Sequence, residues 1–348
     1  MSDIMKKTSF HSIKYLTPVA VCVLAILGIV YFYFFASMSK LDEDTNIFID
    51  KDDNIDSVMC KIEPVATSSG MTGFNTMARF LDYKKSIKPG MYKLKPSTGA
   101  LSFVRKLRNG QQDFLMLTIP TARTMEELSR KLDGKIQADS ADYMKVFTDS
   151  VKIAQYGFTK ETLPAMFIPE TYDFFWTDNA DKVLSRMAKE YEKFWTDERK
   201  EKAKAIGLTP IEVATMASIV DSETNIKSDK PIVAGVYLNR IKKGMKLQAD
   251  PTVKFAVGDF SLRRILFRHL EIDSPYNTYK YEGLPPGPIC IPSIEGLEAV
   301  LDAQKHDYIF FCASPKFDGT HVFAKTSEEH MKNARAYQAA LDERNIKK

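Results

Sequence analysis

Residues 209–225, TPIEVATMASIVDSETN, predict a buried helix that ends in acidic residues. The start of this helix is well marked, because Thr209 is a typical N-cap residue and Pro210 suits the first helical position. Glu212 follows Thr209 by three residues and completes a capping box. The residues that follow are mostly apolar, which favours a helix in the protein core. The last turn nevertheless carries two carboxylates, so their placement bears on both fold and function.

These two acids, Asp221 and Glu223, fall on different faces of the predicted helix. One stripe, spaced i, i+3, i+4 and i+7, is formed by Met216, Ile219, Val220 and Glu223. At 100° per residue, Asp221 lies about 200° around the helix from Glu223. The two carboxylates therefore cannot flank one glycosidic bond, which excludes a two-carboxylate glycosidase built from this pair.

Glu223 is the candidate for acid–base chemistry. It continues an apolar stripe, so we expect it to face protein or the wall of a cleft rather than open water. Desolvation and the negative end of the helix dipole both raise the pKa of a carboxyl group there. A Glu that stays protonated near neutral pH can act as a general acid. The alternative is a structural carboxylate that pairs with a lysine or caps loop amides, and we expect Asp221 to be a solvated or structural acid.

The composition of the whole chain is that of a globular protein. Its 348 residues are 44% hydrophobic and 27% charged, which is enough chain for two or three domains. The net charge is +4, and residues 1–14 supply +2 of it through three lysines against one aspartate. The remainder is close to neutral, so no nucleic-acid partner is expected.

Residues 15–36, YLTPVAVCVLAILGIVYFYFFA, contain no charged residue. About 20 such residues span a bilayer core, and the aromatic residues at both ends suit the membrane interfaces. Lysines precede the segment, so we expect one transmembrane helix with residues 1–14 in the cytoplasm. The alternative is a cleaved signal peptide, for which the run is long and FASMSK is a poor cleavage site. The sequence thus predicts a protein of the cytoplasmic (inner) membrane whose main part is extracytoplasmic, or periplasmic.

The rest of the chain divides into segments that predict an α+β fold. A polar linker is expected at 37–46. Residues 47–115 alternate strand, helix, strand and helix, which is typical of a small α/β module, although an ordinary structural subdomain is the alternative. Residues 116–205 form an intermediate region that we expect to pack with the last domain, and residues 206–348 form the core of that domain.

Two stretches of polar and aromatic residues follow the acid-bearing helix. The residues singled out in them are Gln248, Asp250, Thr252, Tyr276, Asn277 and Tyr279. Amides and hydroxyls bond sugar hydroxyls, and tyrosine rings cover the apolar face of a pyranose. The set therefore indicates a carbohydrate site close to Glu223.

The sequence gives no indication of a metal or a cofactor. The five histidines form no HExxH motif, no Gly-rich phosphate loop occurs, and no Cys/His spacing matches a zinc site. We therefore expect neither metal nor cofactor. For Cys290 and Cys312, buried free thiols and one disulfide both remain open.

Four blocks of sequence carry a resemblance to a known family. They are ATMASIVDSET (214–224), YLNRIKKGMKLQADPTVKFAVG (237–258), SPYNTYKYEGLPPGPICIPS (274–293) and HVFAKTSEEH (321–330). On these blocks the chain resembles the membrane-anchored endolytic murein transglycosylases of the YceG-like (MltG) type. That family usually has Glu-x-Glu in the first block, where this chain has Asp221 and Glu223. The catalytic acid of the family falls on Glu223, so the Asp at position 221 leaves that assignment intact.

The resemblance implies a peptidoglycan lytic transglycosylase, a lyase that needs no cofactor. It would cleave the β-1,4 bond from N-acetylmuramic acid (MurNAc) to N-acetylglucosamine (GlcNAc) within glycan strands, leaving 1,6-anhydro-MurNAc ends. Glu223 would act first as the acid and then as the base, while the polar loop residues bind substrate. The resemblance also implies a LysM-like module at 47–115, wall-synthesis enzymes as further partners, and termination of nascent strands.

Two other functions remain open. A hydrolytic muramidase would use water and release reducing ends. A non-catalytic, anchored peptidoglycan-binding scaffold would bind the same strands without turnover.

Overall fold

The computed structural model describes residues 17–262 and 264–344. Helix α1, Thr17–Phe35, is the one described helix that is long and apolar enough to cross a membrane by itself, with a mean hydropathy of 2.4. At 1.5 Å per residue it is about 28 Å long, close to the thickness of a bilayer core. Its apolar stretch is not buried in the protein, which fits a single-pass anchor. The predicted cytoplasmic segment 1–14 and the first residues of the predicted span lie outside the described residues.

The chain separates into two compact units. Unit 1 runs through Met116 and includes Asp173–Thr177. Unit 2 comprises Leu117–Tyr172 and the chain from Asp178 onward.

Unit 1 is a small module of two strands and three helices beyond α1. In chain order its elements are β1 Thr45–Ile49, α2 Ile55–Ile62, α3 Ser68–Phe80, β2 Gly90–Leu94 and α4 Ala100–Asn109, with short 3₁₀ turns at Glu63–Val65 and Tyr83–Lys85. The strands are antiparallel, with Thr45 opposite Leu94. Phe74 and Phe103 lie in the core that the helices form with the two strands. The predicted strand and helix segments are present, and the LysM-like assignment of the module stays a prediction.

Helix α2 is an element that the sequence analysis did not identify. Its start is fixed by a capping box, in which the Asn54 side chain accepts from the Ser57 amide and Ser57 Oγ accepts from the Asn54 amide. Val58 and Ile62 lie one turn apart on its buried face. The helix is only eight residues long, so its apolar period is too short to stand out from sequence alone.

The end of α1 packs closely on the rest of unit 1. Its last turn, Tyr31–Phe35, is π-helical and contacts α3 and α4. A Cβ atom on Gly73 would lie 1.9 Å from the Tyr33 carbonyl oxygen, and one on Gly99 would lie 2.8 Å from the Phe35 carbonyl oxygen. Only glycine lets the backbones approach this closely.

The segment after α1, predicted as a polar linker over 37–46, is partly built into the module. Met38 is fully buried. Its amide donates to the Thr98 carbonyl at 2.9 Å, and its carbonyl accepts from the Thr67 amide at 2.8 Å. A free linker is therefore not found at its start, because one apolar side chain and its backbone are satisfied inside unit 1.

Unit 2 is mostly helical. Its helices are α5 Met125–Leu132, α6 Ser140–Phe147, α7 Ser150–Ala154, α8 Ala180–Phe194, α9 Asp197–Ala205, α10 Pro210–Glu223, α11 Lys230–Lys242, α12 Asp250–Val257, α13 Phe267–Leu270, α14 Ile294–Leu301 and α15 Ser327–Glu343, with a 3₁₀ turn at Leu163–Met166. Strands β5 Phe310–Ala313 and β6 His321–Ala324 pair antiparallel. Strands β3 Phe114–Thr118 and β4 Thr171–Phe175 form another two-stranded sheet, and the boundary between the units falls inside both. The predicted α+β class is confirmed.

Helix α10 begins as its sequence predicts and lies in the core of unit 2. Thr209 Oγ1 accepts from the Glu212 amide, and Glu212 Oε2 accepts from the Thr209 amide at 2.7 Å. Every residue from Val213 to Val220 is buried, because helices α14, α11 and α12 all pack against α10. Burial is therefore not limited to the predicted stripe, and the Asp221 side chain is only 14% exposed.

Candidate active site

Glu223 is the last residue of α10 and lines a cavity in unit 2. Its Oε1 atom accepts a hydrogen bond from the Tyr237 hydroxyl at 2.7 Å. Tyr237 comes from α11 and is 1% exposed. The packing of α11 against α10 thus holds one carboxyl oxygen, while no described residue donates to the other.

Burial raises the pKa of Glu223 to about 7. The desolvation of the charged form outweighs the hydrogen bond from Tyr237, which lowers the pKa. The Asp250 carboxylate raises this pKa and the Arg240 guanidinium lowers it. This direction agrees with the prediction, and desolvation is the largest cause. At neutral pH Glu223 therefore populates both protonation states, as a group that gives and then takes a proton requires.

Arg240 follows Tyr237 by three residues on α11 and is held in place by backbone oxygens. Its Nε donates to the Ile309 carbonyl at 2.7 Å, and a terminal nitrogen donates to the Leu247 carbonyl at 2.6 Å. The guanidinium also lies 5.4 Å from the centre of the Phe310 ring. These contacts fix a positive charge near the Tyr237 hydroxyl and the carboxyl group that it binds.

Asp221 is a structural acid. Its Oδ1 accepts from Lys230 Nζ at 2.8 Å, and its Oδ2 accepts from the Ser293 amide at 2.7 Å. The Ser293 hydroxyl donates to it as well. A Cβ atom on Gly296 would lie 2.5 Å from this carboxylate, so the start of α14 fits tightly against it. Asp221 therefore joins the end of α10 to the start of α14, and the solvated alternative does not hold.

Asp250 and Tyr279 form a pair at the start of α12. Asp250 lines the cavity, and its Oδ1 accepts from the Tyr279 hydroxyl at 2.6 Å. Burial, then the bond and charge of Asp250, raise the pKa of Tyr279. The hydroxyl consequently stays protonated and donates, which orients the Asp250 carboxylate.

Thr252 and Asn277 hold the loops together and have no surface for a ligand. Both side chains are fully buried. Thr252 Oγ1 donates to the Ala249 carbonyl at 2.7 Å. Asn277 Nδ2 donates to the carbonyls of Leu270 and Ile272, both at 2.9 Å. Both residues were predicted to bind substrate, but in the structure they donate to loop carbonyls, which need hydrogen-bond donors when they are buried. They therefore support the loops.

Gln248 and Tyr276 do not line the cavity themselves. Gln248 is exposed and has a left-handed backbone, with φ of 49°, and its amide donates to the Thr278 carbonyl at 3.1 Å. Tyr276 is half-buried, and its ring centre lies 4.7 Å from that of Phe255, which lines the cavity. Burial raises the pKa of Tyr276 to about 12. Tyr276 therefore supports the cavity wall through Phe255.

The cavity has a volume of about 1330 Å³, which leaves room for an extended ligand. Of the predicted site residues, Glu223 and Asp250 line it directly. Its other walls include segments around Ala122 and Ile291, which are joined by a bond from the Ile291 amide to the Ala122 carbonyl at 2.8 Å. Sequence reasoning missed Tyr237 and these segments, although all but the Ala122 segment lie in the blocks that carry the resemblance.

The described residues contain no group of three or more His, Cys, Asp or Glu that could hold a metal ion. His321 has a structural position, with its Nδ1 3.1 Å from Asp229 Oδ2. Cys290 and Cys312, for which a disulfide had stayed open, are both free thiols.

Comparison with known proteins connects this geometry to a family. A model of the YceG-like family matches residues 47–336. The endolytic murein transglycosylase of Bacillus subtilis (strain 168) is 38% identical over 186 residues, which is 53% of this chain and 51% of that protein. The endolytic murein transglycosylase of Streptococcus pneumoniae (strain D39) is 25% identical over 342 residues, which is 87% of this chain and 61% of that protein.

A solved structure gives the same result. The 2.6 Å crystal structure of a YceG-like protein from Listeria monocytogenes matches with a TM-score of 0.54 and 27% identity, covering 84% of this chain and 99% of that one. The chain spans 51% to 61% of the length of the curated relatives named above. The family model covers most of the chain, including α10, the cavity and the loops around it, and the chain therefore belongs to the YceG-like family.

Proposed function

We propose that this chain is an endolytic murein transglycosylase, a lyase that cuts peptidoglycan glycan strands internally. Membership of the YceG-like family and the names of its curated relatives support this activity. The observation that carries the proposal is the state of Glu223. Its carboxyl group lines a cavity, has one oxygen held by Tyr237, and has a pKa of about 7.

The proposed reaction cleaves the β-1,4 bond from MurNAc to GlcNAc. Protonated Glu223 donates its proton to the glycosidic oxygen, and the bond between that oxygen and C1 of MurNAc breaks. The C6 hydroxyl of the same MurNAc then attacks C1 while the Glu223 carboxylate accepts the hydroxyl proton. The products are a GlcNAc end and a 1,6-anhydro-MurNAc end, water is not consumed, and Glu223 returns to its starting state.

One carboxyl group suffices for this reaction, because the nucleophile belongs to the substrate. Asp221 does not take part, since Lys230 and Ser293 already occupy its oxygens. Asp250 has a supporting role: its charge, oriented by Tyr279, stabilises the positive charge that develops at C1. The same charge raises the pKa of Glu223 and so keeps the acid protonated.

The remaining predicted residues act around this centre. Gln248 is exposed and offers an amide to sugar hydroxyls. Tyr276 and Tyr279 shape the wall through Phe255 and Asp250. Thr252 and Asn277 position the loops from inside rather than touch the substrate.

A second candidate function is hydrolysis, and the presence of Asp250 in the same cavity favours it. A second carboxylate could activate a water molecule, and the cleaved strand would then carry a reducing end. A third candidate is an anchored scaffold that binds strands without turnover. It would use the same binding surface, but it does not explain why the pKa of Glu223 is raised.

The cellular setting is also part of the proposal. We place the chain in the cytoplasmic (inner) membrane, with its N-terminus inside and the chain after α1 outside the cytoplasm, because α1 is the one described helix near the N-terminus that is apolar enough to span. There it would terminate nascent glycan strands beside wall-synthesis enzymes. A LysM-like, glycan-binding role for the small module fits its antiparallel strands packed with helices.

The test is mass spectrometry of the products that the full chain, in detergent, releases from purified peptidoglycan. An anhydro end is lighter than a reducing end by one water. We expect anhydro ends from the wild type, none from Glu223→Gln, and wild-type amounts from Glu201→Gln, the same change at an exposed position on α9. Reducing ends would establish the hydrolase instead. The absence of products from folded wild-type protein would favour the scaffold.

A further inference from the structure

The cavity that holds Glu223 has a second charged region, which the proposed reaction does not use. Two of its basic residues are neutralised locally, because Lys131 pairs with Glu127 at 2.7 Å and Lys230 pairs with Asp221 at 2.8 Å. Three further cations line the cavity without a carboxylate of the described residues within ion-pair distance: Arg123, Lys254 and Arg264. Carboxylates lie nearby, since Glu127 interacts with the charge of Arg123 and Asp259 with that of Lys254. None of the described carboxylates forms a direct ion pair with these three cations, so each can still pair with an anionic ligand.

Arg123 is held so that its guanidinium edge stays available. Its amide donates to Glu127 Oε2 at 3.0 Å, which fixes the backbone at the start of α5. The guanidinium lies 5.4 Å from the centre of the Phe260 ring. A guanidinium that rests on an aromatic ring keeps its N–H edge free for a planar anion, and carboxylates bind such an edge through two parallel hydrogen bonds.

Arg264 joins this region from the loop that follows α12. The loop is tied to α12 by Lys254, whose Nζ donates to the Leu262 carbonyl at 2.6 Å. Phe260, the ring beneath Arg123, belongs to the same loop, and Arg264 is exposed. One loop therefore brings both the aromatic support of Arg123 and a second arginine to the cavity.

These cations lie away from the reacting acid. The charges close enough to shift the pKa of Glu223 are those of Asp250 and Arg240, and Arg240 is turned toward backbone carbonyls rather than the cavity. A ligand can thus reach Glu223 with one part and the arginines with another. The scissile sugars are neutral at the bond that breaks, so their recognition does not require free guanidinium groups.

We infer that Arg123 and Arg264 form a subsite for the carboxylates of the peptide stem that the MurNAc lactyl group carries. This inference rests on the proposed function, since it takes the glycan strand as the ligand. The stem branches from the same sugar that Glu223 acts on and carries free carboxylates along its length. The subsite makes stem-bearing strands the preferred substrate over strands whose stems are removed or neutralised.

The test is binding, measured in a Glu223→Gln background so that no strand is cut. The full chain in detergent is titrated with labelled MurNAc–GlcNAc oligosaccharides of one length, in three forms: stems with free carboxylates, stems with amidated carboxylates, and no stems. We expect the free form to bind about tenfold more tightly than the amidated form, as two partly exposed ion pairs provide. Adding Arg123→Gln and Arg264→Gln should bring this ratio to about one.

A matched double variant separates location from net charge. Arg130→Gln with Arg268→Gln removes the same charge from two exposed positions that do not line the cavity, and we expect it to keep the tenfold ratio. Equal binding of the free and amidated forms by the Glu223→Gln protein overturns the subsite. So does an equal loss of the ratio in both double variants. Because binding needs no cleavage, these outcomes are independent of whether the wild type produces anhydro ends.

Discussion

The two carboxylates at the end of α10 are two residues apart, yet the regions around them are built differently. Around Asp221, a lysine, a backbone amide and a serine hydroxyl occupy the carboxylate. Around Glu223, one tyrosine hydroxyl binds one oxygen, and the rest of the group borders a cavity. The first region uses its charge to join two helices, whereas the second keeps a carboxyl group with a raised pKa. The partners supplied by neighbouring elements, rather than the position on the helix, decide which acid is structural and which has a raised pKa and is proposed to react.

The largest expected effect is on turnover. Glu223→Gln should lower the rate of anhydro-end formation by roughly 100-fold to 10,000-fold, because it removes the proton donor while preserving shape. The rate is followed by quantifying anhydro ends over time with saturating strands. A rate within a few-fold of that of the wild type would contradict the proposed catalytic role of Glu223, and with it the functional contrast between Glu223 and Asp221.

The next effect is on stability and concerns the other acid. Asp221→Ala should lower the free energy of unfolding by about 2 kcal/mol, because the buried Lys230 ammonium keeps only Glu295, at 3.2 Å, and the Ser293 amide loses its acceptor. Thermal unfolding of the variant measures this, with Glu201→Ala on the surface of α9 as the control. An unchanged melting temperature would mean that Asp221 does not hold α10 to α11 through Lys230 or to α14 through Ser293.

The pH dependence of stability distinguishes the two regions further. The pKa of Glu223 is about 7 in the folded state, against an ordinary value of 4.5. The folded state therefore binds more protons between these values, and stability falls as pH rises through that window, by about 1.4 kcal/mol for each unit of difference. Glu223→Gln removes this loss of stability. The melting temperature of the variant minus that of the wild type should therefore increase from pH 5 to pH 8. A constant difference across this range would show that burial does not raise the pKa.

The smallest effect concerns Tyr237, whose hydroxyl binds Glu223. Tyr237→Phe removes a hydrogen bond that lowers the Glu223 pKa, so the loss of activity on the alkaline side should move to higher pH. Stability should fall by about 1 kcal/mol. The control is Tyr281→Phe, which removes an exposed hydroxyl that donates to Asp273. An unmoved pH profile would assign Tyr237 a role in packing alone.

Local signals in the sequence were sufficient to predict helix α10 and to single out Glu223 as its candidate acid. The cap at Thr209 predicts where α10 begins, and the apolar spacing points to Glu223. The same spacing could not reveal that residues Val213 to Val220 are buried on every side, because the covering helices come from elsewhere in the chain. The structural role of Asp221 depends on Ser293, 72 residues away, and no local pattern connects them.

In the loops, local signals identified the polar residues correctly but could not distinguish ligand-binding residues from supporting ones. Polar residues in a turn-rich region suggest sugar ligands, but the backbone of such a region also needs donors. Asn277 and Thr252 serve that second need, while Asp250 serves the cavity. Tyr237 escaped notice for a related reason: a tyrosine on an apolar helix face is typical of core packing, and its bond to Glu223 depends on how two helices pack.

The contact at Gly73 determines how α1 and unit 1 move together. The module touches the backbone of α1 itself, at the Tyr33 carbonyl, and Met38 continues the contact into the core. No flexible tether lies between them, so a tilt of α1 turns the module by the same angle. Membrane helices tilt when bilayer thickness changes. In the proposed membrane setting, the thickness of the surrounding lipid would therefore become a variable that sets the orientation of the module relative to the membrane surface.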